Sequence, residues 1–433
     1  MIASGRVAYL ARRGPDYGVH IGSDAVGSRN DVHVAMEKVR QRKRDIVDSF
    51  RSGSERRVRE AGVELIMGAA CFEDERTIKV QSHDGAERTL TADRIFICTG
   101  ERPATPKIDG FNVASFAPGT ILDSTSIQEL GVIPSHLVVI GGGYIGLEFG
   151  QLFRRLGAAV TIVQRGAQLL PREDADVAET MLNILQEDGV KVLLKAAPTN
   201  IRPTGDKDSA TPVAVSVSVP NNDNPSELLA SHVLFAAGRV PNTDTLNLGT
   251  AGIETTARGH ITTDPQLRTT NPHVYALGDV KGGPAFTHVS YDDFRLLRAN
   301  LLEHEAHPAP LTTVDRVLPY VVYTDPQLGH VGLHEHEARA KFPGRKIQVA
   351  SMPMSYVARA LETDETRGLM KAVIDAESQQ ILGFTCLGLE GGEIMSVVQM
   401  AMVGSVKWTV LRDAVWAHPS LAESLNNIWG FLK

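Results

Sequence analysis

Through the first two thirds of the chain, short apolar runs alternate with stretches of helical spacing, the trace that a parallel sheet with crossover helices leaves in a sequence. Residues 63–71 and 77–81 predict strands, and 94–98 predicts a short buried strand. The chain then enters a second unit around residues 118–123, where 137–140, 159–163 and 190–194 predict further strands. Alternating residues 213–219, between a polar stretch at 203–209 and a turn at 221–225, predict a peripheral surface hairpin. Residues 233–237 and 274–277 return as strands that run into Gly238 and Gly278. Beyond residues 308–310 the pattern changes, and 316–323, 347–352, 368–374 and 381–386 predict an antiparallel sheet with later helices, so a third domain starts near Leu311. Residues 38–59 are basic with Val39, Ile46, Val47, Phe50 and Val58 near helical spacing, which predicts a solvated amphipathic helix.

Composition narrows the function classes. A chain of 433 residues is too long for one ordinary core, and a formal net charge of -7 gives no global attraction for nucleic acid or anionic lipid. No apolar stretch approaches the roughly 20 residues needed to span a bilayer. The first residues lack a basic leader with an apolar run, so the expectation is a soluble, cytoplasmic protein with no membrane partner. Cys71, Cys98 and Cys386 are far apart and odd in number, against both a disulfide framework and a metal cluster; all three are expected as buried small hydrophobes.

The chemistry concentrates after residue 140. Gly141, Gly143 and Gly146 place GxGxxG where an apolar strand turns into a helix beginning near Tyr144, with a second strand ending at Gln164. Glycines allow the tight turn and close approach of a pyrophosphate, which the helix N-terminus holds through its free N–H groups and dipole. An acidic side chain at the end of the second strand would select the ribose hydroxyl of NAD. Here Gln164 and Arg165 follow instead, and a guanidinium can pair with a 2′-phosphate, so the residues lean towards NADPH.

Four further segments stand in order around that site: Thr99-Gly100-Glu101-Arg102-Pro103, Ala237-Gly238-Arg239-Val240-Pro241-Asn242, Tyr275-Ala276-Leu277-Gly278-Asp279 and His418-Pro419-Ser420-Leu421-Ala422-Glu423. Together with the glycine motif they make the chain resemble, over essentially its whole length, class I pyridine nucleotide-disulfide oxidoreductases, with mercuric-reductase-like and dihydrolipoamide dehydrogenase-like flavoproteins as the nearest branch. The resemblance implies an α/β fold of two Rossmann-like nucleotide-binding domains and a C-terminal α+β dimerisation domain. The expected boundaries are 1–117 for a partial FAD-binding domain, 118–240 for the NAD(P)-binding domain, 241–310 for the second FAD-binding segment and 311–433 for dimerisation.

By the same resemblance Asp279, after Gly278, would hydrogen-bond the ribityl chain of FAD, Thr99 and Gly100 would line the flavin cleft, and Thr287 with His288 would meet the isoalloxazine ring. Tyr144 is similar to the aromatic that covers the flavin face, and Glu148 to the carboxylate near its edge. The resemblance also places Gly238 and Arg239 among the cofactor-binding residues. His418 and Glu423 resemble a catalytic dyad that serves the flavin of the other subunit in a homodimer. Pro419 suits a first helical turn, which would set Glu423 about a turn beyond His418 to orient its imidazole for proton transfer.

Family members begin with a first GxGxxG and a CxxxxC redox pair, and neither occurs in this sequence. Met1-Ile2-Ala3-Ser4 resembles the segment just after that pair, so on the order of 40 to 50 residues, one strand-helix-strand unit, are expected to be missing ahead of it through a misplaced start or truncated gene model. The sheet beside residues 94–98 would then expose edge groups and apolar surface. The chain also ends without the cysteine pair of mercuric reductases proper, which disfavours mercury as substrate. The expected activity is hydride transfer from NAD(P)H to flavin and on to a thiol/disulfide, metal or other small-molecule acceptor. A cysteine-independent diaphorase and a non-catalytic nucleotide-binding or dimerisation fragment stay open as alternatives.

Overall fold

The apolar run that ends at Gly141 becomes the central strand of a five-stranded parallel sheet. The computed structural model describes residues 1–19, 32–205, 209–219, 222–303, 309–314 and 316–433. In it β6 (Ile121–Leu122), β7 (His136–Ile140), β8 (Ala159–Gln164), β9 (Lys191–Leu194) and β13 (His232–Phe235) lie in the order β6-β13-β7-β8-β9. Helices α3 (Tyr144–Leu156) and α4 (Ala175–Glu187) make the crossovers from β7 to β8 and from β8 to β9. Leu137, Val138 and Val139 are wholly buried, because β7 is covered on both faces and therefore reads as an unbroken apolar run.

This sheet belongs to the larger of two units, which comprises residues 1–44, 105–237 and 317–433. The same unit holds helix α1 (Ile2–Arg13) and a five-stranded antiparallel sheet of order β16-β17-β20-β19-β18. Its strands are β16 (Pro319–Val322), β17 (Gln327–Gly332), β18 (Ile347–Pro353), β19 (Leu369–Asp375) and β20 (Ile381–Gly388). Helices α6 (Glu335–Lys341), α7 (Ala358–Glu362), α8 (Gly391–Val403), α9 (Trp408–Asp413) and α10 (Ser424–Asn427) accompany it. Val322, Leu328, Leu369 and Leu387 share one apolar cluster with Leu137, Leu147 and Leu156, so the two sheets of this unit are continuous through a common core.

Two expectations change here. The alternating residues are not a peripheral hairpin: β10 (Ala197–Pro203), β11 (Val213–Val219) and β12 (Asn222–Ala230) form a three-stranded antiparallel sheet. Val213, Val215 and Val217 are wholly buried in a cluster with Val138 and Val163, so the apolar half of the alternation is core. The predicted turn begins at Asn221, which lies outside the described residues, as do residues 206–208 of the polar stretch and Pro308. The second change is an added element, since β17, central between β16 and β20, was not anticipated.

The smaller unit comprises residues 45–104 and 238–316. It contains an antiparallel sheet of β1 (Gly68–Phe72), β2 (Thr77–Ser82) and β3 (Glu87–Thr91), an antiparallel pair of β5 (Glu101–Pro103) with β14 (Arg239–Pro241), and a parallel pair of β4 (Ile95–Ile97) with β15 (Val274–Ala276). Helix α5 (Thr287–Leu302) follows β15. Ile95 and Ile97 are buried, but Phe96 is 46% exposed, so the expected buried strand is covered on one face only. Helix α2 (Met36–Glu60) forms where the amphipathic pattern predicts it, yet Phe50 is 73% exposed and Ile46 and Val47 are also uncovered. Among the described residues no helix is long and apolar enough to cross a membrane.

Candidate functional site

The turn between β7 and α3 is shaped by its glycines. Gly141 has φ of 119°, and a Cβ there would come within 2.5 Å of the Ala236 carbonyl oxygen. At Gly146 a Cβ would collide with the Gly141 carbonyl, so the first helical turn can close on the strand only without a side chain. At Gly143, the N-cap of α3, a Cβ would meet nothing within 4 Å. The loop is thus tight against the protein on one side and open on the other, beside the free N–H groups of a helix start, which is the form of a pyrophosphate cradle.

Gln164 does not reach outward from this cradle. It is buried; its Oε1 accepts from the Gly142 amide at 3.1 Å and its Nε2 donates to the Gln168 carbonyl at 3.0 Å. The side chain expected at the ribose is therefore spent on holding the loop, a correction to its sequence reading. Arg165, one residue on, is exposed and makes no ion pair among the described residues. Tyr144 starts α3 with its ring partly buried against the core. Glu148, one turn later, accepts from the Tyr323 amide at 2.8 Å, and burial pushes its carboxyl above the usual range.

In the smaller unit the candidates collect at strand ends. Thr99 Oγ1 donates to the Asn242 carbonyl at 2.9 Å, the Asn242 amide donates to the Gly100 carbonyl at 2.9 Å, and Gly100 has φ of 66° with open space at its Cβ position. Gly238 has φ of 139°, and Arg239 pairs with Glu101 at 3.1 Å, where His260 Nε2 also lies 2.7 Å away. Past β15, Gly278 turns at φ of 73° and the half-buried Asp279 follows; no hydrogen bond or ion pair engages its carboxylate among the described residues. Burial and the nearby Glu101 push its pKa up. An acceptor without a partner at a strand-to-helix turn suits a ligand hydroxyl. Thr287 and His288 are exposed at the start of α5, where the His288 ring stacks on Phe286 with centroids 5.4 Å apart.

One residue of this region escaped the sequence reading. Asp293 on α5 is wholly buried; Oδ2 accepts the Gly278 amide at 2.9 Å and lies 3.3 Å from Lys281 Nζ, while Oδ1 takes Arg316 at 2.7 Å. It anchors the turn that presents Asp279. An aspartate in the middle of a helical pattern reads as solvated surface, so only the fold reveals it.

His418 and Glu423 come together as expected, with Nδ1 2.9 Å from one carboxylate oxygen and 3.1 Å from the other. The local structure differs, because Pro419 precedes the helix rather than starting it. Glu423 is the N-cap of α10, and its amide is taken by Ser420 Oγ at 3.3 Å. The imidazole side chain is 67% exposed, so it can reach a reactant outside its own chain. Of the cysteines, Cys386 is buried with its thiol pushed up to about 12 by burial, whereas Cys98 is exposed at the end of β4, contrary to expectation.

A family model described as pyridine nucleotide-disulphide oxidoreductase matches residues 7–293, and the dimerisation domain of the same group matches residues 318–428. The chain is 33% identical over 441 residues to the probable pyridine nucleotide-disulfide oxidoreductase RclA of Escherichia coli (strain K12), covering 100% of this chain and 95% of that protein. It is 31% identical over 426 residues to a mercuric reductase of Bacillus cereus, covering 98% of this chain but only 63% of that longer protein. A solved structure of the Cu(II) complex of the HOCl-induced flavoprotein disulfide reductase RclA from Escherichia coli superposes with a TM-score of 0.82 at 31% identity, covering 98% of this chain and 89% of that one. The 95% coverage of the first relative gives no support to the loss expected ahead of Met1.

Proposed function

This chain belongs to the pyridine nucleotide-disulphide oxidoreductase family, an enzyme family of FAD-dependent oxidoreductases, and we propose that it oxidises NADPH in preference to NADH and passes the electrons to a small-molecule acceptor. The observation that carries the reading is the glycine turn after β7, closed against the protein at Gly141 and Gly146 and open at Gly143. Gly141, Gly143 and Gly146 would hold the pyrophosphate of the nicotinamide nucleotide. Arg165, a cation just past β8 without an ion-pair partner among the described residues, would receive the 2′-phosphate.

Thr99, Gly100, Gly238, Arg239, Gly278, Asp279, Thr287 and His288 are the residues we assign to FAD, with Asp279 as the hydroxyl acceptor. Tyr144 and Glu148 keep the roles that the resemblance gives them. FAD, when bound, would supply the two-electron acceptor for the nicotinamide hydride. The matched dimerisation domain implies a homodimer, in which His418, oriented by Glu423, would move protons at the acceptor. We read the domains as 1–117 and 241–310 for FAD, 118–240 for NAD(P)H and 311–433 for dimerisation.

The distance in sequence between Cys71, Cys98 and Cys386, and the inert burial of Cys386, favour a second reading of the acceptor step: electrons leave the flavin directly for a quinone or metal ion, without a dithiol. The relative captured with Cu(II) makes that ion one acceptor to try. The test is a spectrum of the purified protein and anaerobic titration with NADPH. Flavin absorbance bleached by one equivalent of NADPH is expected; protein without flavin, inert towards NADPH, would sink the proposal. Steady-state turnover with menadione or Cu(II), unaffected by serine at all three cysteines, separates the dithiol-free route from its rival.

A further inference from the structure

A second constellation lies in the larger unit, away from the glycine turn and built from residues with no part in the reading above. His330 sits on β17, His334 caps α6, Glu173 ends the loop that follows β8, and Tyr320 lies on β16. Glu173, His330 and His334 are 6%, 2% and 5% exposed, and one ligand atom from each lies within 4.8 Å of the others.

The hydrogen bonds fix where lone pairs point. His330 Nε2 lies 3.1 Å from the Gly332 carbonyl, which can only accept, so Nε2 carries the proton. Its Nδ1 then holds a lone pair, at present turned to the Thr385 hydroxyl at 2.8 Å. Tyr320 donates its hydroxyl proton to Glu173 Oε1, and the Tyr320 hydroxyl oxygen lies 3.3 Å from His334 Nε2, which makes that nitrogen the donor to it. His334 Nδ1 is left with a lone pair over the first turn of α6, where the ring serves as the capping acceptor towards the Glu337 amide. This nitrogen lies 3.8 Å from Glu173 Oε2, and that oxygen has no hydrogen-bond partner among the described residues. A buried imidazole nitrogen and a buried carboxylate oxygen thus stand close enough to share one cation.

We propose that Glu173, His330 and His334 bind one divalent ion of the Zn(II) or Co(II) type. Two imidazoles and a carboxylate, with no thiolate, are the donor set such borderline ions take. With bonds of about 2.0–2.1 Å, a tetrahedral ion spans a ligand pair about 3.3 Å apart, so the 3.8 Å gap needs only a small closure. Gly332 and Tyr320 supply the outer hydrogen bonds that orient ligating histidines. Nearby, Asp174, Asp176 and Glu335 surround Lys371 at 2.9–3.1 Å, with Arg339 also on Glu335 at 2.9 Å. The two rings are now stacked with centroids 3.9 Å apart, so the ion draws one imidazole out of the stack and takes the place of Thr385 on His330.

The ion would also act on the nucleotide turn. The Glu173 carbonyl accepts from Gln168 Nε2 at 2.9 Å, the Gln168 carbonyl accepts from Gln164, and Gln164 holds the Gly142 amide. Fixing Glu173 therefore stiffens the segment between the two sites.

Titration of the purified, chelator-treated protein with Co(II), followed by visible absorption and by competition with Zn(II) in calorimetry, tests the site. One ion per chain is expected, with a tetrahedral nitrogen/oxygen spectrum and a rise in thermal midpoint. Glu173→Gln, which keeps volume and the Tyr320 contact, and His334→Ala should each weaken binding at least about tenfold, and Tyr320→Phe by about tenfold through loss of orientation. Serine at Cys71 and Cys98 should leave binding intact. Absence of stoichiometric binding overturns the proposal, as does a thiolate charge-transfer band or affinity unchanged in the folded Glu173→Gln protein.

Discussion

Two parallel strands of this molecule end in glycine turns suited to nucleotides, and they are held in place by different means. β7 lies between β13 and β8 with Leu137, Val138 and Val139 wholly buried, so apolar packing on both faces fixes its turn. β15 lies in a two-stranded sheet with β4 and is bridged besides only by Arg268 among the described residues, Phe96 of that pair is half open, and the turn after β15 is tied down by the buried carboxylate of Asp293. Where a sheet is complete, shape suffices. Where it is narrow, charge and hydrogen bonding take over, and the failure modes differ accordingly.

Substitutions can break this contrast. The largest effect is expected for Asp293→Ala, which strands Lys281, leaves Arg316 with Asp292 alone and frees the Gly278 amide; about 3–5 kcal/mol should be lost in urea unfolding, together with flavin retention. Leu137→Ala in β7 should cost about 2–5 kcal/mol through its cavity, with flavin content per folded chain unchanged. Equal loss of flavin in both variants would erase the distinction. Gly146→Ala pushes the first turn of α3 off the strand, and a misplacement on the order of 1 Å should lower kcat/KM for NADPH about a hundredfold while NADH falls in parallel. Arg165→Ala should instead lower the NADPH-to-NADH ratio of kcat/KM about tenfold, the low end for a charge-assisted bond at an exposed position. Phe96→Ala should change stability by under about 1 kcal/mol, as a half-exposed ring on a half-covered strand requires; a cost as large as that at Leu137 would show that the second sheet is covered in solution.

What the sequence revealed follows the same division. Strands β7 and β8 and the turn at Gly141 were legible because burial on two faces writes a continuous apolar run and the glycines stand at fixed spacing. β17 was not, although it is central in its sheet. Its residues, Gln327 to Gly332, include two glycines whose absent side chains let Gly391 and the Leu382 carbonyl approach, and a histidine whose ring is paid into a buried cluster rather than an apolar face. β11 alternates as a surface strand does, but its polar half faces outward only because its apolar half is buried completely. The pairing of His418 with Glu423 was reached through the family resemblance, whereas Asp293, Glu173 and His334 gain their meaning from partners far along the chain.

Gln164 carries a consequence for anyone wishing to redesign coenzyme choice. An amide is both donor and acceptor, and here it uses the one on Gln168 and the other on Gly142. A glutamate, the obvious replacement for recruiting NADH, keeps the acceptor but would turn a carboxylate oxygen towards the Gln168 carbonyl, where two acceptors repel. On the proposed reading, selectivity at this position cannot be edited without loosening the loop assigned to the coenzyme pyrophosphate. The adjustable position is its neighbour, Arg165, so a library that varies residue 165 and spares 164 should yield more active clones than one that varies both.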